Sequence, residues 1–204
     1  MKSKNSKPKS KLKRIKESIT EVEYKKLINA VRGDESLRPN TKDNLLRVFT
    51  ILYFTGLRLN ELQELRLQHI KELLDNSETK LILPKTKSER KLFAGDEFKK
   101  QLKKLFVFDS DTDIQIKVIS KGSSQSKKES IHPLTFIAQV NEVMKQILGS
   151  GYTSHSFRQG LISEMASKQI NTKIISKFIG HSDIKTTMHY IKPTDDDIKG
   201  AMIR

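Results

Sequence analysis

The sequence predicts a mainly helical domain with one small three-stranded antiparallel β-sheet. Three observations lead there. Apolar residues recur at helical spacing through most of the 204 residues, the period shortens only between residues 70 and 93, and capping and stop residues fall at the borders of the periodic stretches. With 35% hydrophobic residues the chain can bury a real core.

Residues 1–18 read as a disordered basic arm. Lys and Ser alternate, and residues 1–16 hold eight basic side chains and no acid. Folding is expected to begin at Thr20, where Thr20-Glu21-Val22-Glu23 forms a capping box ahead of Val22, Leu27, Ile28 and Val31. A second helix is expected over about Thr41–Thr55, with Gly56 placed to terminate it. Asn60 can cap a third helix that carries Leu62 and Leu65 inward. Ile70–Leu74, Lys80–Leu83 and Lys91–Phe93 are short strand-like runs, with Asp75-Asn76-Ser77 and Thr86-Lys87-Ser88 as turns.

A short helix over about Asp96–Phe106 leads to a polar loop ending in residues 121–130. Pro133 suits the first turn of a long helix with Leu134, Ile137, Val140, Met144 and Ile147 on one side, closed by Gly149. Further helices are expected over about Ser156–Lys168, Thr172–Ile179 (ended by Gly180), Ile184–Tyr190 and Asp195–Ile203. Gly160 inside a helix costs about 1 kcal/mol relative to Ala, so it marks close packing.

Composition narrows the function. The formal charge of +15, from 39 Lys+Arg against 24 Asp+Glu, favours a polyanionic partner. Without cysteine there are no disulfides, thiolate metal sites or thiol nucleophiles. No apolar leader is visible, and the longest apolar stretch, Val48–Phe54, is far too short to span a bilayer, so a soluble, cytoplasmic protein is expected, with an organellar origin left open. No Gly-rich phosphate loop is present, so no nucleotide partner is expected. Asp109, Asp111 and Asp113 begin like a calcium loop, but Ile114 stands where Gly is needed and Ser120 where Glu is needed.

What remains is a set of cations at helix starts and turns, with one tyrosine. Thr55-Gly56-Leu57-Arg58-Leu59-Asn60-Glu61-Leu62 puts Arg58 in a turn between helices. His155-Ser156-Phe157-Arg158 puts two side chains three apart in a first helical turn, and Tyr190 lies nine residues after His181. Here the chain resembles the tyrosine recombinases, or phage integrases. Thr55–Leu65 looks like that family's T-G-x-R-x-x-E-L-x-x-L motif and His155–Arg158 like its H-x-x-R. The run Gly180-His181-Ser182-Asp183-Ile184-Lys185-Thr186-Thr187-Met188-His189-Tyr190 looks like the G-H-S-x-x-x-T-T-x-x-Y of Xer-like members. Lys85, before Thr86-Lys87-Ser88, looks like the strand-turn lysine of the family, with Lys87 the alternative.

The resemblance implies the tyrosine-recombinase catalytic fold over residues 19–204 and metal- and ATP-independent DNA cleavage through a 3′-phosphotyrosine. Arg58 and Arg158 would grip the phosphate, and His181 would donate a hydrogen bond to it. Tyr190 would attack, His155 would serve as base or its orienting partner, and Lys85 would be the general acid. No cofactor is expected. The partner is double-stranded DNA, with a homo- or hetero-tetramer assembled on it and no membrane.

Two features depart from the family. Gln159-Gly160 follows H-x-x-R where the family has His or Arg, then Ser or Thr. Eighteen residues also cannot form the helical DNA-clamping domain that usually precedes the catalytic one. Competing readings are a type IB topoisomerase, a non-catalytic DNA-binding relative, and a membrane-surface protein using the basic arm.

Deleting residues 2–16 is expected to weaken binding to any duplex and to flatten its salt dependence, because phosphate contacts release counterions. An unchanged slope of binding constant against salt would make the arm a solvated tail.

Overall fold

The computed structural model describes residues 17–83, 87–121, 131–181 and 183–191, together with Asp195 and Lys199. The basic arm, Lys85 and most of the expected loop over 121–130 lie outside the described residues. Of the expected last helix only Asp195 and Lys199 are described, both helical.

Helix α1 (Glu21–Gly33) opens with the expected capping box, in which Thr20 and Glu23 cap one another, and it buries Tyr24, Leu27, Ile28 and Val31. Val22, expected inside, is 72% exposed, because two residues before Tyr24 on a 100° wheel is the opposite side. Helix α2 (Pro39–Thr55) starts two residues earlier than expected, with Pro39 in the first turn, and it is the central element. Helices α1, α5 and α7 all pack on it. Its Val48, Phe49 and Leu52 are fully buried, and Phe49 meets Phe157 with ring centres 5.8 Å apart.

After the turn at Gly56, the short α3 (Leu59–Leu62) places Leu62 inside, followed by Leu65. Its start is held by Glu61, whose carboxylate accepts from the Arg58 backbone N–H at 2.9 Å, and not by Asn60, which is exposed. Helix α4 (Leu67–Asn76) corrects the expected first strand. Ile70–Leu74 is helical, because Leu67, Ile70, Leu73 and Leu74 form a stripe at 3.6-residue period rather than an alternation.

Among the described residues the sheet therefore has two strands, β1 (Glu78–Ile82) and β2 (Glu89–Phe93), paired antiparallel with Leu81 opposite Arg90. A separate antiparallel bridge joins Arg66 to Lys117. Helix α5 (Asp96–Leu105) carries Asp96 and Glu97 in its first turn and Lys103 and Lys104 in its last, as the helix dipole favours.

Helix α6 (Pro133–Leu148) buries Phe136, Val140 and Met144, while Leu134 is 73% exposed. The inward stripe thus runs through Phe136, two positions away from the expected start. Helix α7 (Ser154–Ser167) lies against α2 and α6 and leads to α8 (Thr172–Ile179) and α9 (Ile184–Met188). Helix α9 ends two residues before Tyr190, which sits in the following turn.

The segment before α1 is tied to α7. Ile19 N–H donates to Ser156 O at 3.0 Å, and Glu17 N–H to Gly151 O at 3.2 Å. A Cβ on Gly160 would stand 1.9 Å from Ile19 O, so the close packing expected of this glycine is present. Gly160→Ala is expected to destabilise the fold by about 2 kcal/mol in urea unfolding, despite the better helix propensity of Ala. Gly33→Ala, with nothing within 4 Å of its new methyl, is the control and is expected to be near neutral. Equal stability of the two variants would contradict the packing.

Candidate active site

Two helices end facing each other. Helix α2 stops at Gly56, in the left-handed region at φ 57°, and α8 stops at Gly180, at φ 75°. A helix C-terminus leaves carbonyls without intrahelical partners and carries the negative end of the dipole. Two buried guanidinium groups satisfy both ends at once. Arg158, from α7, donates through Nη1 to Gly56 O and through Nη2 to Ile179 O, each at 2.8 Å. Arg90, from β2, donates through Nη2 to Thr55 O at 2.9 Å and to Phe178 O at 3.3 Å. Arg158 and Arg90 are only 3% and 4% exposed. Glycine suits both stops: beyond the positive φ, a Cβ at 56 would lie 2.9 Å from Ile179 Cδ1, and one at 180 would lie 3.1 Å from Arg90 Cδ.

Glu61 adds the counter-charge. Its carboxylate bridges Arg58 Nη1 at 2.6 Å and Arg90 Nη1 at 2.9 Å. Burial pushes this carboxyl up, but the hydrogen bonds from Arg58 and the charges of Arg90 and Arg58 outweigh it, so its pKa is lowered. Three guanidiniums face one carboxylate, and the cluster keeps an excess of positive charge.

His181 completes it. Arg158 Nε donates to His181 Nε2 at 3.2 Å, so that nitrogen is an acceptor and the ring is neutral, with its proton on Nδ1 beside Thr187 Oγ1 at 2.8 Å. Burial, then the charges of Arg158, Arg58 and Arg90, lower the imidazole to about 4. Burial and the Arg58 and Arg90 charges likewise lower Arg158 to about 9, which leaves it charged at neutral pH. The Tyr190 ring is nearly parallel to that of His181, at 17°, with centres 6.2 Å apart. Tyr190 packs beside the small cluster of Ile162, Ile175 and Ile179.

A cleft of about 1210 Å³ opens over this cluster. Arg58, Glu61, Arg90, Lys91, Lys177 and His181 line its polar side, and Phe93, Ile174 and Phe178 part of its apolar side.

Of the six residues singled out in the sequence, Arg58, Arg158, His181 and Tyr190 come together here. His155 is exposed at the second position of α7, one turn before Arg158. Lys85 lies outside the described residues, and Lys87 is exposed with φ 55°. Sequence reasoning missed Arg90 and Thr187. The signal for Arg90 was present: two residues before Leu92, it shares the inner face of β2, whose alternation begins at Glu89.

The Phage integrase family model matches residues 17–197. The chain belongs to the phage integrase family. Among curated relatives, a tyrosine recombinase of Thermosipho africanus is 25% identical over 186 residues, covering 91% of this chain and 60% of that protein. Tyrosine recombinase XerA of Pyrococcus furiosus is 27% identical over 195 residues, covering 94% of this chain and 63% of that protein. This integrase-family chain thus spans about 60% of the length of such relatives.

Solved structures share the fold. A crystal structure of XerA recombinase superposes with a TM-score of 0.64 at 18% identity, covering 96% of this chain and 65% of that one. The Tn1549 transposon integrase in complex with a circular intermediate DNA gives a TM-score of 0.66 at 17% identity, covering 97% and 66%.

The lowered imidazole has a sign that can be measured. Between about pH 6.5 and 4 the unfolded chain binds the His181 proton and the folded chain does not, so stability falls as pH falls through that window. The loss is expected to be on the order of 2 kcal/mol relative to His181→Gln, and to be absent above pH 7. Parallel pH dependences for parent and variant would contradict a buried neutral ring.

Proposed function

We propose that the cleft holds one phosphodiester of double-stranded DNA and that the chain cleaves and rejoins it as a site-specific tyrosine recombinase. The observation that carries this reading is the juxtaposition of Tyr190 with a guanidinium cluster whose positive charge exceeds its counter-charge. Non-bridging oxygens of a phosphodiester hold negative charge in the transition state, and fixed forks of N–H donors stabilise it without reorganising.

In the proposed step the Tyr190 hydroxyl oxygen attacks phosphorus as its proton leaves to a base, for which His155 is the candidate. The bond from phosphorus to the 5′ oxygen breaks, and that oxygen takes its electron pair and a proton from Lys85. Arg58 and Arg158 hold the non-bridging oxygens, and His181 donates to one of them. A phenol ordinarily keeps its proton to about pH 10, so the base and the surrounding cations are both needed. The 3′-phosphotyrosine conserves the free energy of the broken bond, so a 5′ hydroxyl rejoins the strand by the reverse path with neither ATP nor metal.

Recombination exchanges strands between two duplexes, so we extend the reading to four catalytic domains assembled on DNA. Lys91 and Lys177, on the cleft wall, suit the flanking phosphates.

The test uses a pool of nicked duplexes with randomised sequence around the nick, which trap a covalent complex by losing the short cleaved end. The parent chain is expected to form an adduct with or without EDTA. Tyr190→Phe is expected to form none while retaining DNA affinity, and Arg58→Ala to slow adduct formation roughly 100-fold. Adducts from the Phe variant, or near-parent rates from Arg58→Ala, would refute these roles.

A further inference from the structure

Thr187 is fully buried in α9, and its hydroxyl faces Nδ1 of His181 at 2.8 Å. A helical threonine commonly bonds the carbonyl one turn back. The Thr187 hydroxyl has no hydrogen-bond partner other than His181 among the described residues. On the other side of the ring, Nε2 accepts from Arg158 Nε at 3.2 Å. Thr187 is therefore an acceptor in the free protein, and His181 turns a lone pair, not a proton, toward the guanidiniums and the cleft.

A phosphodiester oxygen cannot be held by that lone pair. For His181 to donate, Nε2 must gain a proton, either by charging the ring or by changing its tautomer. Arg158 from α7, Arg58 from the α2–α3 turn and Arg90 from β2 all oppose a second positive ring proton, Glu61 of α3 favours it, and the Tyr190 ring is stacked beside it. Changing the tautomer adds no charge.

We propose that Thr187 is a positioning residue whose hydroxyl works in both directions, accepting from Nδ1–H in the free protein and donating to Nδ1 once a phosphodiester takes the proton on Nε2. This rests on the reading of the cleft as a phosphodiester site. The protons balance. Nε2 takes one from water in the cleft, Nδ1 returns one to water, and the Thr187 hydroxyl hydrogen rotates onto the vacated lone pair. A carboxylate or carbonyl partner would hold the proton on Nδ1 in every state, whereas a hydroxyl is both donor and acceptor. The ring keeps its place while the Arg158–His181 hydrogen bond is exchanged for one to the substrate.

The first experiment compares adduct rates on the nicked pool. Thr187→Val, close in shape but unable to hydrogen-bond, is expected to slow cleavage roughly 10- to 100-fold with unchanged DNA affinity, the scale of an unsatisfied buried polar group. Its rate should recover toward acid pH, where the ring can donate only by charging. Thr187→Ser is expected to restore the rate and the parent pH profile. A parent-like rate and profile from a folded Thr187→Val would overturn the relay, whereas a parent chain that forms no adduct would overturn the reading of the site.

The second experiment does not depend on cleavage or on the folding of a Thr187 variant. Nitrogen-15 spectra of the ring in Tyr190→Phe at pH 7 should show Nδ1–H alone and Nε2–H with saturating thymidylyl-thymidine, with one ring proton in both states. A bound imidazolium, or Nδ1–H retained in the complex, would overturn the proposal.

Discussion

Two buried guanidinium groups join the carbonyl ends of the same two helices, and the rest of the site depends on that join. Helix α2 belongs to the body built by α1, α5 and α6, whereas α8 belongs to the end of the chain that leads to Tyr190. Arg158 and Arg90 cross from one to the other, and each satisfies carbonyls on both. Taking a cation out of water costs several kcal/mol unless its donors are met. Here the Nη donors meet the negative ends of two helix dipoles and the Glu61 carboxylate, and of this pair only Arg90 Nε is buried without a partner among the described residues. Removing one partner would strand a buried charge, at about 3–5 kcal/mol, so the two halves cannot separate cheaply. The left-handed glycines at 56 and 180 leave room at that join for the side chains of Ile179 and Arg90.

In the proposed reading these structural cations form a preorganised anion site. The arginines are fixed by the fold before any substrate arrives, so nothing needs to reorganise when charge develops on a phosphate. The same crowding of positive charge sets the other groups. Burial first and then that charge keep His181 neutral near pH 7 and depress Arg158 without discharging it, and the hydrogen bonds and charges of Arg58 and Arg90 leave Glu61 ionised despite burial. An incoming phosphodiester would relieve repulsion that the folded chain otherwise carries.

Much of this was legible in the sequence, and the reasons it was not elsewhere are physical. Gly56 and Gly180 stood as helix stops because glycine readily takes the positive φ that commonly ends an apolar helical run. Arg58, Arg158, His181 and Tyr190 were readable as an ordered set, though none carries meaning singly. Arg90 was hidden because Lys80, Glu89 and Lys91 make the hairpin look uniformly charged, and only the strand register separates the inner arginine from its outer neighbours. Thr187 was hidden because its role depends on the orientation of a ring six residues earlier. Ile70–Leu74 reads as an apolar run of strand length, and its helical phase emerges only with Leu67 included. Val22 and Leu134 each stand two positions before the first inward residue of their helix, Tyr24 and Phe136, and so point the other way.

In the proposed reading this cluster delivers the Tyr190 oxygen to a phosphodiester and leaves the 3′ end attached to it. The most direct measurement is mass mapping of the peptide linked to DNA after digestion of a trapped complex, with the chemistry of both DNA ends determined. Attachment is expected at Tyr190 through a 3′ phosphate, with a free 5′ hydroxyl on the released strand. Attachment at Tyr24, Tyr53 or Tyr152, or linkage through a 5′ phosphate, would contradict it.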